Sequence, residues 1–256
     1  MAEGTYETIA AVYEFLVPDE LLSPRGSAEA FGQYVEPGAR VLDCACGTGT
    51  LAVGLALRGH EVVATDASEA MVTRAQRLAA ANTVAVDASV CTWEALAERG
   101  WEGAFDVVLC VGNSLPHAVG RDGRRAALHA MTGCLRAGGR LVVTSRTWEQ
   151  VRADGTRLQV GERLVQRGDR RGLPIYAWTI PAGWDEPHFF DVAVALVGRD
   201  GAVQTHRERF EFWPFTEDEL LEDLRDAGLE PEGTGVPADK AGRYLVSAVR
   251  TASDGG

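Results

Sequence analysis

VLDCACGTG, residues 41–49, decides the reading of this chain. An apolar run that starts at Ala39 ends on Asp43, Gly47 and Gly49 follow within six residues, and TLAVGLALRG (50–59) then takes up helical spacing as far as Gly59. A strand, a glycine turn and a helix in that order suit a parallel α/β unit. Glycine lets the backbone approach a ligand, and a helix start offers free N–H groups beside it. The same grammar continues outward. HEVVATD (60–66) reads as a second strand and SEAMVTRAQRLAAAN (68–82) as a helix with Ser68 at its N-cap and Met71, Ala75 and Leu78 on one face. TVAVDASV (83–90) and FDVVLCVG (105–112) read as third and fourth strands, GRRAALHAMTGCLRAGG (123–139) as a helix closed by Gly138 and Gly139, and RLVVTS (140–145) as a fifth strand.

Beyond residue 147 the pattern changes. RLQVGERLVQRG, LPIYAWTIP, HFFDVAVALVG and AVQTHRERFEFW are strand-like runs broken by turn clusters, which predicts antiparallel hairpins. TEDELLEDLRDAGL (216–229) is an amphipathic helix with a Thr216/Glu219 capping box, and RYLVSAVR (243–250) is a last strand. The expected architecture is a doubly wound, mostly parallel seven-stranded sheet carrying an antiparallel β insert as an active-site lid. Its parts are an N-terminal helical cap (1–38), a ligand-binding core (39–146), the lid (147–213) and a C-terminal helix and strand (214–250) that complete the core.

Composition narrows the function. The 256 residues hold 37 acidic and 25 basic side chains, a formal charge of -12, which argues against sequence-independent nucleic-acid binding and against an anionic membrane surface. No run approaches the roughly 20 apolar residues of a spanning helix, and MAEGTYETIA resembles no secretory leader, so the expectation is a cytoplasmic protein acting on a small molecule. The five cysteines lie mostly in apolar runs, as reduced structural thiols do, and no metal site is expected.

The ligand is narrowed by Asp66, which ends the second strand 19 positions after Gly47, where a carboxylate can accept both ribose hydroxyls of a nucleoside cofactor. No Lys-Ser or Lys-Thr follows the glycines, so this is no triphosphate loop. Ala45 stands where a dinucleotide fingerprint has its first glycine, and Asp43 would repel a pyrophosphate while suiting a cationic sulfonium that bears an amine.

VLDCACGTG followed by VVATDASEAM resembles motifs I and II of the class I S-adenosylmethionine (SAM)-dependent methyltransferases, over residues 39 to 146 and more weakly over the C-terminal helix and strand. Within that class, CVGNSLPH (110–117) resembles the glycine and sarcosine N-methyltransferase group and related small-molecule N-methyltransferases. The resemblance implies SAM as cofactor, with S-adenosylhomocysteine as product. It sets Asp43, Ala45, Gly47, Gly49, Asp66, Ala67 and Met71 around the cofactor, Cys110 and Val111 at its methionine part, and Thr92 and Trp93 beside its adenine. Tyr6, Tyr13 and Arg25 would fold over the active site, and Arg146 would pair with a substrate carboxylate.

Asn113 and Ser114 stand at the mouth of the fourth strand as candidate substrate ligands. His117 is the candidate general base, because an ordinary imidazole titrates near neutrality. Trp178, Trp184, His188 and His206 either line the lid or fill its core, and Trp178 is taken as a substrate contact. The expected reaction is methyl transfer by in-line displacement to the nitrogen of a small amine or amino-acid-like metabolite. An O- or C-methyltransferase of a larger metabolite, a SAM-binding protein without turnover and an NAD-type oxidoreductase are the competing readings. The acceptor and the oligomeric state stay open, with room for a homo-oligomer.

Overall fold

The structure is a computed structural model that describes residues 6–235 and 242–251. Short 3-10 turns at Ile9–Phe15 and Asp19–Leu21 lead to helix α1 (Pro24–Phe31), which Ser23 caps by accepting the Gly26 N–H at 3.0 Å. The alternating core follows as β1 (Arg40–Asp43), α2 (Thr50–Leu57), β2 (Glu61–Asp66), α3 (Glu69–Ala81), β3 (Asp87–Val90), β4 (Phe105–Cys110), α4 (Gly120–Cys134) and β5 (Leu135–Arg146). The insert comprises α5 (Trp148–Asp154), β6 (Arg157–Val160), β7 (Val165–Arg167), β8 (Arg170–Thr179), β9 (His188–Val197) and β10 (Val203–Phe212). The chain then returns to the core as α6 (Glu217–Asp226), β11 (Leu229–Gly235) and β12 (Arg243–Arg250).

The main sheet has seven strands in the order β11-β12-β5-β4-β1-β2-β3. Strands β1 to β5 pair in parallel, and β12 runs antiparallel to both β5 and β11. Both faces of this sheet are covered. Phe105, Val108 and Cys110 of β4 belong to one buried cluster, while Val107 and Leu109 belong to the cluster on the opposite face. This is why FDVVLC reads as an unbroken apolar run rather than an alternating one. The winding reverses between β1 and β4, so the crevice outside their carboxyl ends is where such a fold receives a ligand.

Three boundaries differ from the sequence reading. The helix at 123–139 ends at Cys134, and Leu135 already pairs with Phe105 of β4. Gly138 and Gly139 therefore lie within β5: Gly138 has φ of +73°, and a Cβ on Gly139 would stand 3.1 Å from the Asp106 carbonyl oxygen. RLQVGERLVQRG forms two strands, β6 and β7, both on β8. The seventh strand of the main sheet, β11, comes from LEPEGTG, whose proline and glycines hide it; it is an edge strand with a register shift between Pro231 and Gly233, where those residues are tolerated.

The second sheet, in the order β10-β9-β8-β6, is antiparallel throughout. Its inner face packs Trp178, Phe190, Phe210 and Phe212 against Trp148 and against Ile9, Val12 and Phe15 of the N-terminal segment, a third buried cluster. The N-terminal segment is tied to both sheets. The Glu208 carboxylate of β10 accepts the backbone N–H groups of Tyr6, Thr8 and Ile9, the last two at 3.1 and 2.9 Å. From the core, Arg74 of α3 donates to the Ala10 carbonyl at 2.6 Å and to Glu14 at 3.1 Å. On the far side, Asp223 of α6 is fully buried and accepts from Arg124 and Arg121 of α4 at 2.8 and 2.9 Å.

Candidate active site

Two adjoining cavities open at the carboxyl edge of the main sheet. The first, of about 540 Å³, lies over the ends of β1 and β2 and the start of α2. Its floor is acidic. Asp43 is 1% exposed and neither of its carboxylate oxygens has a well-formed hydrogen-bond partner. Burial pushes its carboxyl up to about 7, which the nearby Ala45 N–H offsets only in part. Asp66 closes β2 with one oxygen accepting the Gly47 N–H and the other the Ser68 N–H, both at 2.9 Å, and burial raises its pKa too. Gly47 has φ of +52°, and a Cβ there would meet nothing within 4 Å, so the turn leaves the space beside it open. No side chain caps α2, and Thr48 and Thr50 at its start line the same cavity.

The second cavity, of about 580 Å³, lies against the inner face of the second sheet. Arg146 reaches it from the end of β5, its guanidinium carbon 5.4 Å from the Trp178 ring centroid and 6.0 Å from that of Phe190. The Arg146 Nε–H is buried without an acceptor, and burial followed by the neighbouring Arg243 brings the guanidinium pKa down to about 10. Asn113, in the left-handed region at φ +68°, accepts the Arg146 backbone N–H at 2.9 Å and so fixes the strand end that carries this side chain. Tyr6, Tyr13, Gly112 and Arg243 line both cavities and mark where they meet.

These positions sort the candidates. Asp43, Ala45, Gly47, Asp66, Met71 and Val111 line the first cavity, as does Ser114; Asn113, Arg146 and Trp178 line the second. Other candidates stand elsewhere. Arg25 points into solvent, 88% exposed and paired with Glu29 at 2.9 Å, because α1 turns that face outward. Gly49 serves packing: a Cβ there would come within 2.6 Å of the Ala75 Cβ, so its missing side chain lets α2 lie against α3. Trp93 is a core residue whose ring N–H donates to the Cys44 carbonyl at 2.9 Å, and Cys110 is fully buried in the same cluster. Thr92 and Ala67 line neither cavity.

His117 also lines neither cavity. It is packed against Phe210 and Phe212, and burial lowers its pKa to about 4. Its Nε2 lies 3.0 Å from the Tyr6 hydroxyl, and with the other ring nitrogen donating to the Glu211 carbonyl the neutral ring accepts a hydrogen bond from Tyr6 and holds that phenol in place. That removes the general-base role. Of the other lid residues, His188 is buried beside Trp148 and contacts Arg152 at 3.0 Å, and Trp184 lies under the Arg152 guanidinium at 4.6 Å; both support the lid. Residues absent from the sequence reading include Arg74, Arg77, Thr144, Arg157 and Arg243. Only their places on α3, β5, β6 and β12 bring them to the cavities, and no local motif marks them.

Residues 41–139 match a sequence family described as a methyltransferase domain. That segment has the sequence and fold of a class I SAM-dependent methyltransferase domain. Among curated proteins it is 34% identical over 156 residues to a glycine/sarcosine N-methyltransferase of Parasynechococcus marenigrum, covering 59% of this chain and 55% of that one. The chain thus spans about half the length of that relative. Among solved structures, the CcbJ methyltransferase from Streptomyces caelestis superposes with a TM-score of 0.74 over 99% of this chain and all of that one, at 24% identity. The SAM-bound amino pentose methyltransferase CalS10 from Micromonospora echinaspora gives the same TM-score over 98% of this chain, at 22% identity. Both share the fold over nearly the whole chain.

SAM is the cofactor of this class, and the residues of the first cavity fit it. A buried carboxylate with two unpartnered oxygens suits an ammonium or sulfonium, and the open space beside Gly47 admits a ligand against the backbone. Within this methyltransferase domain no helix of the described residues is long and apolar enough to cross a membrane.

Proposed function

We propose that this chain transfers a methyl group from SAM to the nitrogen of a small, anionic amine or amino-acid-like metabolite. The observation that carries the reading is Arg146: a guanidinium with a buried, unpartnered Nε–H, facing a cavity that joins the cofactor cavity. A buried donor without an acceptor costs about 1–3 kcal/mol, more when charged, and a carboxylate that binds bidentately removes that cost. The glycine and sarcosine named for the curated relatives carry such a carboxylate beside their nitrogen.

Asp43 and Asp66 would hold the cofactor's ammonium and ribose, with Gly47, Ala45 and Val111 against its body. Bound there, SAM supplies an electrophilic methyl, taken up by the acceptor lone pair as the S–C bond breaks and S-adenosylhomocysteine is left. The chain's own part is alignment and exclusion of water, which together can account for several kcal/mol of barrier lowering. The Tyr6 hydroxyl, oriented by His117, and the N-terminal turn clipped by Glu208 cover the junction where the two ligands meet. No histidine lines either cavity, and the reading needs no imidazole base: the amine enters as the free base.

The test is release of S-adenosylhomocysteine across a panel of amino acids, amines, amino sugars and phenols, with Arg146→Ala beside the wild type. Turnover of a carboxylate-bearing amine, with KM raised about tenfold or more in the variant, supports the reading. Turnover confined to phenols refutes it and favours O-methylation, and equal kinetics in both proteins refutes the anionic acceptor.

A further inference from the structure

The lid cavity is far larger than a two-carbon amino acid needs. Its volume of about 580 Å³ lies in the range, about 300–1,000 Å³, that takes ligands of drug size. The period-2 geometry of antiparallel strands sets Tyr176 and Trp178 of β8 on one face, beside Phe190 of β9 and Phe210 and Phe212 of β10. The rings form a continuous surface: Trp178 and Phe190 have centroids 4.3 Å apart, Tyr176 stacks on Phe190 at 5.6 Å with planes 9° apart, and Trp178 and Phe212 lie 6.1 Å apart.

Charge is set against that surface. Arg157 of β6 pairs in register with Trp178 and places its guanidinium carbon 5.6 Å from the same indole that Arg146 approaches at 5.4 Å. Its Nε–H, like that of Arg146, is buried and has no acceptor. Asp154 answers part of the Arg157 charge at 3.3 Å and the Val151 and Gly155 carbonyls accept from its Nη1, which leaves the Nε–H as the donor open to a ligand. Two orphaned guanidinium donors beside one indole call for an anion that can accept from both, and a carboxylate has about four lone-pair sites to offer. The aromatic surface calls for a ring, which stacks offset or edge-on against it.

Resting on the transferase reading above, we infer that the methyl acceptor is an amino acid with a ring-bearing side chain, its carboxylate held by Arg146 and Arg157 beside Trp178 and its ring on the Tyr176–Phe190–Phe212 surface.

The test separates carboxylate from ring. Binding of 3-phenylpropionate, acetate and 2-phenylethylamine is measured by calorimetry on the whole chain saturated with S-adenosylhomocysteine, and turnover is measured with phenylalanine and glycine. The expected result is 3-phenylpropionate binding about tenfold or more tightly than either fragment probe, a loss of about tenfold in Arg157→Gln, and weaker aryl acid but unchanged acetate binding in Trp178→Leu. Equal binding of acetate, tighter binding of the phenylethylamine, or no aryl acid binding at millimolar concentration overturns the inference. Methylation of glycine in preference to phenylalanine also overturns it while leaving the transferase reading intact. Aryl acid binding without S-adenosylhomocysteine produced from SAM with any amine defeats the transferase reading and leaves the ligand site standing.

Discussion

Asp43 ties cofactor binding to pH. In the unliganded fold its carboxyl is pushed from 3.8 up to about 7, because a charge there is stripped of water and faces Asp66. The folded chain therefore holds this proton more tightly than the unfolded chain does. The stability it contributes is fully present below pH 4 and is lost as pH rises through 7, at roughly 1.4 kcal/mol per unit and about 4 kcal/mol in all. A cationic ligand reverses the preference, since it needs the carboxylate ionised. With a pKa near 7 about half the sites are ionised at pH 7 and about a tenth at pH 6, so SAM affinity falls about fivefold between those values. Binding at pH 6 should release nearly one proton. Calorimetry at both pH values, in buffers of differing ionisation enthalpy, reads affinity and proton release together, and Asp43→Asn should abolish both effects while binding more weakly throughout. A flat wild-type profile from pH 5.5 to 7, or equal proton release in the variant, refutes the argument.

Asp66→Ala removes the acceptor proposed for the ribose and also frees the Gly47 and Ser68 N–H groups; SAM affinity should drop about tenfold or more by calorimetry, and unchanged affinity would displace the cofactor register. The two motif glycines should part company. Gly47→Ala meets open space and strains only a backbone at φ +52°, costing about 1–2 kcal/mol, whereas Gly49→Ala adds an overlap with Ala75 and costs roughly 3 kcal/mol or more. Thermal unfolding separates them, and equal midpoints would contradict the packing role of Gly49. Asp223→Ala leaves buried Arg124 without its carboxylate and should cost roughly 3–5 kcal/mol in denaturant unfolding, with cofactor affinity unchanged in the folded protein; a loss under 1 kcal/mol would show the α4–α6 clamp to be dispensable.

The features that were readable in advance are those whose physics is local. The Ser68 cap and the Thr216/Glu219 box lie within four residues of their partners, and both form. The strands β1, β2 and β4 read as apolar runs because both faces of the sheet are covered. Local signals mislead where a tertiary contact outweighs them. Gly138 and Gly139 look like a helix stop, yet β5 already begins at Leu135 and Gly139 is needed for close approach to Asp106. LEPEGTG has poor strand propensity and pairs at the edge of the sheet only because β12 offers it a partner. Trp93 follows the third strand as the resemblance requires, but its ring N–H finds the Cys44 carbonyl and the indole stays in the core.

The same distinction explains why the cofactor half of the site is easier to read than the acceptor half. Asp43, Gly47 and Asp66 sit on two consecutive strands and one turn, so their juxtaposition follows from a single βαβ unit. The acceptor cavity draws Arg146 from a strand end of the core, Arg157 and Trp178 from paired strands of the lid, and Tyr6 from the N-terminal segment. No window of sequence contains those partners together. The acceptor half is the more basic of the two, Arg146, Arg157 and Arg243 standing with Asp154, whereas the cofactor half sets Glu14, Asp43 and Asp66 beside Arg74, Arg77 and Arg243. The bias lies in the acceptor half, whose excess of guanidinium draws a carboxylate and disfavours a second cation, while the buried Asp43 and Asp66 give the cofactor half a local seat for positive charge.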